Sequence, residues 1–176
     1  MKAFGIFLSD EKNPPSILLE FCPQDLSKAL KNGSLSNIKI VFYIYQIAEG
    51  MKYVNFKKII HRDLKPSNIL IASDGNIRIG DFGISKLMFG DDASMTCGIG
   101  TQKFMAPEII NEEQYNEKVD VYSFGVLVFY ILNKGNMPKI TVTQIGMGKK
   151  AEIPSSFTNY AKELIDKCWN FDPQNR

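Results

Sequence analysis

Residues 59–70 read IIHRDLKPSNIL, and this stretch decides how the middle of the chain folds. It holds the only histidine, His61, followed by Arg62, Asp63 and Lys65, between two pairs of branched aliphatic residues. A charged side chain is costly to bury unless it is paired and hydrogen-bonded. We therefore expect the aliphatic pairs to anchor a charged loop rigidly against the elements on either side of it.

A long helix is predicted before this loop. Apolar residues from Ile40 to Met51 recur at helical spacing, and Ser36 or Asn37 is available as the N-cap. The same pattern continues to the neighbourhood of Asn55. The charged loop is thus expected to begin shortly after an amphipathic helix ends.

A hairpin is predicted after the loop. In ILIASDGNIRIGDFG, residues 69–83, the dipeptide Asp74-Gly75 separates two runs in which apolar residues alternate. An Asp-Gly pair in this setting is typical of a tight hairpin with a primed turn. Residues 63–68 are therefore placed on a loop between a helix and a hairpin.

The other apolar stretches predict two strands and two helices. FGIFL and SILLEF are short runs separated by turn-rich residues, which favours two strands joined by a loop. VYSFGVLVFYIL, residues 121–132, is about 12 residues long where a membrane span needs roughly 20, so we expect a buried helix. Residues 157–169 carry a helical stripe of Tyr160, Leu164, Ile165 and Cys168. The expected fold class is α+β, mainly helical, with a few short strands.

The composition limits the classes of function. A chain of 176 residues, 44% of them hydrophobic, is long enough for one soluble core. Its net charge of +2 comes from 21 basic and 19 acidic residues without a basic stripe, so we expect no nucleic-acid partner. The cysteines Cys22, Cys97 and Cys168 lie far apart, which favours neither a disulfide framework nor a zinc site. They indicate a reducing interior, the cytosol or the nucleus.

Charged residues on a short, firmly held loop suit phosphoryl transfer. That chemistry needs an acceptor that orients a hydroxyl, a cation near the developing charge, and oxygen ligands for magnesium. HRDLKPSN supplies Asp63, Lys65 and Asn68, and DFG supplies Asp81 thirteen residues after Asn68.

These motifs resemble those of the eukaryotic protein kinase family, whose catalytic loop and D-F-G follow this pattern. The resemblance extends to GTQKFMAPE (residues 100–108), DVYSFGVLVFYIL (residues 120–132) and CWNFDPQNR (residues 168–176). Several motifs in the right order make the match specific, whereas a lone DFG would carry little weight. GTQKFMAPE and CWNFDPQNR look most like the tyrosine-kinase-like branch of the serine/threonine kinases.

The resemblance implies roles for individual residues. Asp63 would orient the substrate hydroxyl, and Lys65 would place its ammonium near the γ-phosphate of ATP, which favours the serine/threonine class. Asn68 and Asp81 would hold Mg²⁺. The resemblance assigns structural roles to the core residue His61, the packing residue Phe82, the ion pair Glu108–Arg176, and Asp120, which would support the catalytic-loop backbone.

The same resemblance places regulation between Asp81 and Glu108. Arg62 would pair with a phosphorylated residue of this activation segment, which makes a kinase acting upstream an expected partner. Ser94 and Thr96 are the phosphosite candidates, and plain solvated loop residues are the alternative. Thr101 is expected to contact the catalytic loop.

Adenine is expected at the segment Leu19-Glu20-Phe21-Cys22, which looks like the hinge between the two lobes of a kinase. Its backbone N–H and C=O groups would supply the hydrogen bonds. Leu70 would form the floor beneath the purine. The alternative is that these are ordinary strand residues.

Some parts of the kinase pattern have no counterpart in these 176 residues. The template includes a G-x-G-x-x-G loop, a strand lysine and a helix glutamate, and no residue here takes those parts. We expect residues 1–22 to form the end of the small lobe with the hinge, and residues 23–176 a large lobe that lacks its final helix. The expected fold is thus a truncated kinase-like fold.

Two functions follow from this reading. The first is an ATP-dependent serine/threonine kinase domain that acts on protein substrates and is present in incomplete form. The alternative is a catalytically dead large-lobe fragment that binds proteins. Tyrosine or dual specificity is a third reading, which Lys65 and Thr101 disfavour.

Overall fold

The computed structural model describes residues 1–8, 14–33, 35–83, 85–87 and 102–176. It is a mixed helix and sheet fold, in agreement with the predicted α+β class. The strands are β1 (Ala3–Phe7), β2 (Ser16–Leu19), β3 (Gln24–Asp25), β4 (Ile59–Ile60), β5 (Ile69–Ile71), β6 (Ile77–Ile79) and β7 (Lys86–Leu87). The α-helices are α1 (Leu26–Lys31), α2 (Asn37–Phe56), α3 (Pro107–Ile110), α4 (Lys118–Leu132), α5 (Val142–Gly146) and α6 (Asn159–Cys168).

All strand pairs in the described ranges are antiparallel. β1 pairs with β2, and Ile6 lies opposite Ile17. β5 lies between β3 and β6, and β4 pairs with β7. The predicted strands in FGIFL and SILLEF are therefore confirmed, and the loop between β4 and β5 carries the charged stretch.

Helix α2 agrees with the helix predicted before that loop. Its N-cap is Ser36, whose Oγ accepts a hydrogen bond from the Lys39 N–H at 3.3 Å. The buried side of α2 carries Tyr43, Ile47 and Met51. This capped helix ends two residues before β4, so it positions the start of the charged loop.

The hairpin β5–β6 is present, but the primed turn predicted for it is wrong. The Gly75 N–H donates to the Ala72 carbonyl at 2.9 Å, and the Ala72 N–H donates to the Asn76 carbonyl at 2.9 Å. A primed type I turn needs two consecutive residues with positive φ, yet only Gly75 has one here, at +78°. The connection is a turn closed by a glycine bulge, because an extra residue precedes Gly75.

Helix α4 forms the centre of the larger core. Eleven of its residues are buried, which agrees with the helix predicted from VYSFGVLVFYIL. Phe129 stacks on Trp169, with ring centroids 5.3 Å apart. Gly125 permits this close packing, since a Cβ there would lie 2.5 Å from Cys168 Cβ and 2.9 Å from the Trp169 ring. No helix in the described residues is long and apolar enough to cross a membrane.

Helix α6 lies against α4, but half of its predicted apolar stripe is wrong. Ile165 and Cys168 are buried, whereas Tyr160 is 87% and Leu164 39% exposed. The buried face of α6 is narrow because only the side that faces α4 is covered. Tyr160 and Leu164 lie beside that face, about 140° and about 100° around the helix axis from Ile165.

Candidate active site

Asp120 holds the charged loop from the first turn of helix α4. Its side chain is buried, with one oxygen accepting from the His61 N–H at 2.8 Å and the other from the Arg62 N–H at 2.9 Å. Burial raises the pKa of Asp120 above its ordinary value, although the two backbone N–H groups act in the opposite direction. The carboxyl therefore fixes two consecutive peptide units of the loop.

Two residues of the site adopt left-handed backbone conformations. Arg62 has φ +67° and Asp81 has φ +61°. For residues other than glycine, such conformations cost on the order of 1–3 kcal/mol and persist where neighbouring structure enforces them. The bond from Asp120 to the Arg62 N–H is the enforcing contact at the first position. The left-handed conformation of Arg62 changes the direction of the chain immediately before Asp63.

His61 is fully buried and uses both ring nitrogens inside the protein. Nδ1 accepts from the Asp63 N–H at 3.3 Å, so the proton resides on Nε2, which donates to the Gly80 carbonyl at 3.0 Å. Its ring lies 4.7 Å from the ring of Phe82, which is itself partly exposed. His61 thus joins the charged loop to the segment after β6.

Asp63 lies at the centre of a short polar network. Its Oδ2 contacts Lys65 Nζ at 2.6 Å and accepts from Asn68 Nδ2 at 2.9 Å. Asn68 Nδ2 also donates to the Asp63 main-chain oxygen at 2.8 Å. The other carboxylate oxygen, Oδ1, is buried and has no hydrogen-bond partner among the described residues. One acceptor atom is therefore held in place and left for a donor from outside this network.

Asn68 and Asp81 are brought together by the backbone. The Gly80 N–H donates to the Asn68 carbonyl at 2.9 Å, and Asp81 follows immediately. Asn68 uses its side-chain nitrogen within the network, and no donor in the described parts of the chain contacts its Oδ1. Within the described residues, the exposed carboxylate of Asp81 accepts only a long bond from the Gly83 N–H, at 3.4 Å. Asp81 thus presents its carboxylate to solvent, whereas Asn68 is itself buried.

These two oxygen donors fit magnesium better than a metal that needs a full protein cage. Mg²⁺ usually takes one or two carboxylates from the protein and completes its shell with water and substrate phosphates. Among the residues that the structure describes, no group of three or more His, Cys, Asp or Glu side chains could hold a metal. The donor types of Asn68 and Asp81 therefore fit a magnesium ion that shares its shell with a phosphate.

The predicted adenine segment lies beside the β3–β5–β6 sheet. Its member Glu20 binds Arg78 of β6 through two bonds of 3.0 and 3.1 Å, and Arg78 lies opposite Leu70 in the hairpin. The hydrogen bonds from Arg78 stabilise the ionised carboxylate of Glu20 and so lower its pKa. The segment and Leu70 are therefore close, while Phe21 is mostly exposed and Cys22 partly buried.

The sequence comparison decides the family. The protein kinase domain family matches residues 3–176. The chain belongs to the protein kinase family. Its relatives include mitogen-activated protein kinase kinase kinase 12 of Rattus norvegicus, which is 40% identical over 169 residues, or 91% of this chain. Serine/threonine-protein kinase 12 of Arabidopsis thaliana is 36% identical over 181 residues, or 94% of this chain.

This kinase chain is much shorter than those relatives. It spans 19% of the length of the rat protein and 39% of the length of the Arabidopsis protein. Mitogen-activated protein kinase kinase kinase dlk-1 of Caenorhabditis briggsae is 41% identical over 91% of this chain, which spans 20% of that protein. The comparison therefore gives no information about the parts of these relatives that lie outside the matched region.

Glu108 and Arg176 meet in a buried ion pair. Their side chains join through bonds of 2.6 and 2.9 Å, and the Arg176 side chain is fully buried. Arg176 also donates to the main-chain oxygens of Lys118, Asn170 and Phe171. The pair ties α3 to the start of α4 and to the segment after α6.

The predicted regulatory residues lie mostly outside the described residues, namely Ser94, Thr96 and Thr101. Arg62 lies within them, and its Nη1 donates to the Tyr115 hydroxyl at 3.1 Å. The pairing of Arg62 with a phosphorylated residue stays a prediction.

Two residues of the candidate site were missed by sequence reasoning. Arg78 holds Glu20 of the predicted adenine segment. Its place between Ile77 and Ile79 was a usable signal, because alternation puts it on the opposite face of the strand. Tyr115 gave no such signal, since it lies in an irregular stretch and meets Arg62 across 53 positions of sequence.

Proposed function

We propose that this chain carries the phosphate-transfer site of a serine/threonine protein kinase, which moves the γ-phosphate of ATP to hydroxyl groups of protein substrates. The observation that carries the proposal is the state of Asp63. One of its oxygens is fixed by Lys65 and Asn68, and the other is a buried acceptor without a partner in the described residues. A substrate hydroxyl is the donor that completes this arrangement.

Asp63 acts by orientation. Phosphoryl transfer passes through a loose transition state, so positioning and charge stabilisation supply most of the catalysis. A hydroxyl that donates to Asp63 Oδ1 directs its oxygen lone pair away from the carboxylate, toward the phosphate. Lys65, 2.6 Å from Oδ2, carries the positive charge for the phosphate oxygens while it keeps the carboxylate in one rotamer.

Asn68 and Asp81 are the residues that would hold Mg²⁺, and the ion, when bound, neutralises phosphate charge. The bond from Gly80 to the Asn68 carbonyl sets the spacing of these two ligands. Adenine would bind to the backbone of residues 19–22 above Leu70. The contact between Glu20 and Arg78 would hold that segment at a fixed distance from Asp81, because Arg78 lies three residues before it.

Specificity and regulation are part of the proposal. Lys65 and the named relatives support the serine/threonine class, and GTQKFMAPE with CWNFDPQNR supports the tyrosine-kinase-like branch. A kinase acting upstream would phosphorylate Ser94 or Thr96, and Arg62 would bind the phosphate. Residues 1–22 would belong to the smaller lobe and residues 23–176 to the larger one.

The test replaces Asp63 by Asn in the protein as its own cells make it. Asn keeps the shape and still accepts a hydrogen bond, but it loses the charge that pairs with Lys65. We expect transfer to a protein substrate to fall at least 100-fold while the Kd for MgATP changes less than threefold. Lys52→Met, a change of an exposed lysine on α2, is the control and should leave both unchanged.

Two results would contradict the proposal. Retained transfer in Asp63→Asn would remove the role of Asp63. A wild-type protein that binds MgATP without transferring phosphate would favour the alternative of a non-catalytic protein-binding module.

A further inference from the structure

A continuous row of hydrogen bonds joins helix α2 to the predicted adenine segment. It begins at the turn between β5 and β6, which α2 holds by three contacts. The Tyr43 hydroxyl donates to the Gly75 carbonyl at 3.2 Å, and Gln46 Nε2 donates to Asn76 Oδ1 at 2.8 Å. Gln46 Oε1 accepts from the Ile77 N–H at 3.1 Å. The turn is therefore fixed to the long helix on both sides of one glutamine side chain.

Asp74 is the acidic residue of this turn, and both of its carboxylate oxygens are engaged. Oδ1 accepts from the Asn76 N–H at 2.9 Å, and Oδ2 accepts from Arg78 Nη2 at 3.0 Å. The Asn76 N–H, the Asn76 side chain and Arg78 together lower the pKa of Asp74 to about 2. Asp74 is therefore ionised at neutral pH, although its side chain is half exposed.

Arg78 continues the row from Asp74 to Glu20. Its Nε donates to Glu20 Oε2 at 3.0 Å and its Nη2 to Glu20 Oε1 at 3.1 Å, while Nη1 donates to the Ile77 carbonyl at 3.1 Å. A paired contact of this kind fixes the plane of the guanidinium as well as its position. Because Nη2 carries two hydrogens, Asp74 and Glu20 do not compete for one proton. The two carboxylates therefore hold the Arg78 side chain from two directions.

Glu20 connects the row to the backbone of the adenine segment. Its N–H donates to the Lys2 carbonyl at 2.8 Å, and its Oε2 also accepts from the Lys2 N–H at 3.4 Å. The side chains of Glu20 and Arg78 are each 24% exposed, so salt screens their contact less than it screens a fully exposed ion pair. This pair links residues 1–22 to the hairpin β5–β6.

We propose that Asp74 and Arg78 are positioning residues for the nucleotide, which fix the adenine segment through Glu20. The inference rests on the proposed binding of adenine to the backbone of residues 19–22. A segment that is already held in its binding geometry loses less conformational freedom when the nucleotide binds. In the described structure no hydrogen bond joins either residue to Asp63 or Asn68. The affinity for ATP should therefore depend on the row, and kcat should not.

Amide hydrogen exchange in the protein as its own cells make it tests the positioning without nucleotide. Arg78→Met breaks the row, and we expect the Glu20 amide to exchange about tenfold faster. Asp74→Asn keeps the shape of the side chain but loses the charge that faces Arg78, and should speed this exchange about threefold. Asp166→Asn is the matched control, because it removes an exposed carboxylate of α6 that pairs with Lys150 at 2.5 Å. It should leave the exchange unchanged.

Nucleotide measurements separate positioning from a general loss of structure. The Kd of MgATP and the KM for ATP should rise about tenfold in Arg78→Met and about threefold in Asp74→Asn, with kcat within about twofold of the wild type. Arg78→Lys keeps the charge but loses the paired bonds, so its Kd should lie between those of the wild type and Arg78→Met. Asp74→Asn added to Arg78→Met should raise the Kd no further, because the row is already broken. A thermal melt of each variant confirms that it is folded.

Three results would overturn the inference. The Glu20 amide could exchange at the wild-type rate in Arg78→Met, this variant could bind MgATP as tightly as the wild type or more tightly, or the effects of the two substitutions on the Kd could add in full. A wild-type protein that binds no MgATP would instead contradict the proposed function. The exchange rates, which need no nucleotide, would then decide whether Asp74 and Arg78 fix the segment.

Discussion

The charged loop and the β1–β2 hairpin reverse the usual relation between polarity and burial. His61, Arg62 and Asp63 are buried, whereas Ile6 of β1 is 71% and Leu8, next to it, is 84% exposed. The loop residues have partners supplied by Asp120, Gly80, Lys65 and Asn68. The hairpin is a two-stranded sheet whose apolar side chains have little to pack against in the described structure. Burial here follows from the partners available to a side chain more than from its own polarity.

Among the changes to the buried polar residues, substitution of Arg176 is expected to destabilise the protein most. In Arg176→Met, Glu108 would remain buried without its partner, and we expect the free energy of unfolding to fall by about 3–5 kcal/mol. Urea unfolding measures this loss. The double variant Glu108→Leu with Arg176→Met removes the unpaired charge and should recover part of it. A loss below about 1 kcal/mol in the single variant would contradict the account.

A smaller loss is expected when the support of the charged loop is removed. Asp120→Ala leaves the His61 and Arg62 N–H groups buried without acceptors, which should cost about 2–4 kcal/mol in urea unfolding. Asp120→Asn is the matched control, because it keeps one acceptor oxygen and should lose about half as much. Equal stability of Asp120→Ala and wild type would show that the loop does not depend on this carboxyl.

The core around Trp169 predicts a pH dependence. Burial raises the pKa of the Cys168 thiol from its ordinary value near 9 to about 11. The unfolded thiol ionises first, so the stabilisation is complete below pH 9 and is lost as the pH rises to 11. The expected loss is roughly 2–3 kcal/mol. Cys168→Ala should show a smaller decline over this range, and parallel curves for the two proteins would contradict the prediction.

The smallest effect is expected in the β1–β2 hairpin. Ile6→Thr changes an exposed side chain on a strand and should alter the free energy of unfolding by less than about 0.5 kcal/mol. The same urea measurement provides the comparison with Asp120→Ala. A loss above 1 kcal/mol would mean that Ile6 is covered in solution and that the contrast between the two regions is weaker than described.

Local signals predicted the elements that hold the site. The repeat of apolar residues and the Ser36 cap gave helix α2, and the alternating runs gave the hairpin β5–β6. The motif residues Asp63, Lys65 and Asn68 are in mutual contact in the structure. These features are encoded within a few residues of each other, which is why sequence patterns are sufficient for them.

Features that depend on distant packing could not be predicted. The prediction of a primed turn was wrong because the turn propensity of Asp-Gly does not determine how many residues the loop contains before Gly75. The prediction of an apolar stripe on α6 was wrong for Tyr160 and Leu164. Sequence periodicity predicts that a helix forms, but it does not predict how wide a face of that helix α4 covers. Tyr115 reaches Arg62 only through the tertiary fold.

Amide hydrogen exchange tests the central claim, that the charged loop is rigid and the apolar hairpin is loose. The amides of His61 and Arg62, which donate to Asp120, would be compared with those that pair β1 and β2. The account predicts that His61 and Arg62 exchange only as the whole protein unfolds, while the hairpin amides exchange through local opening. Exchange of His61 and Arg62 at the rate of the hairpin would contradict it.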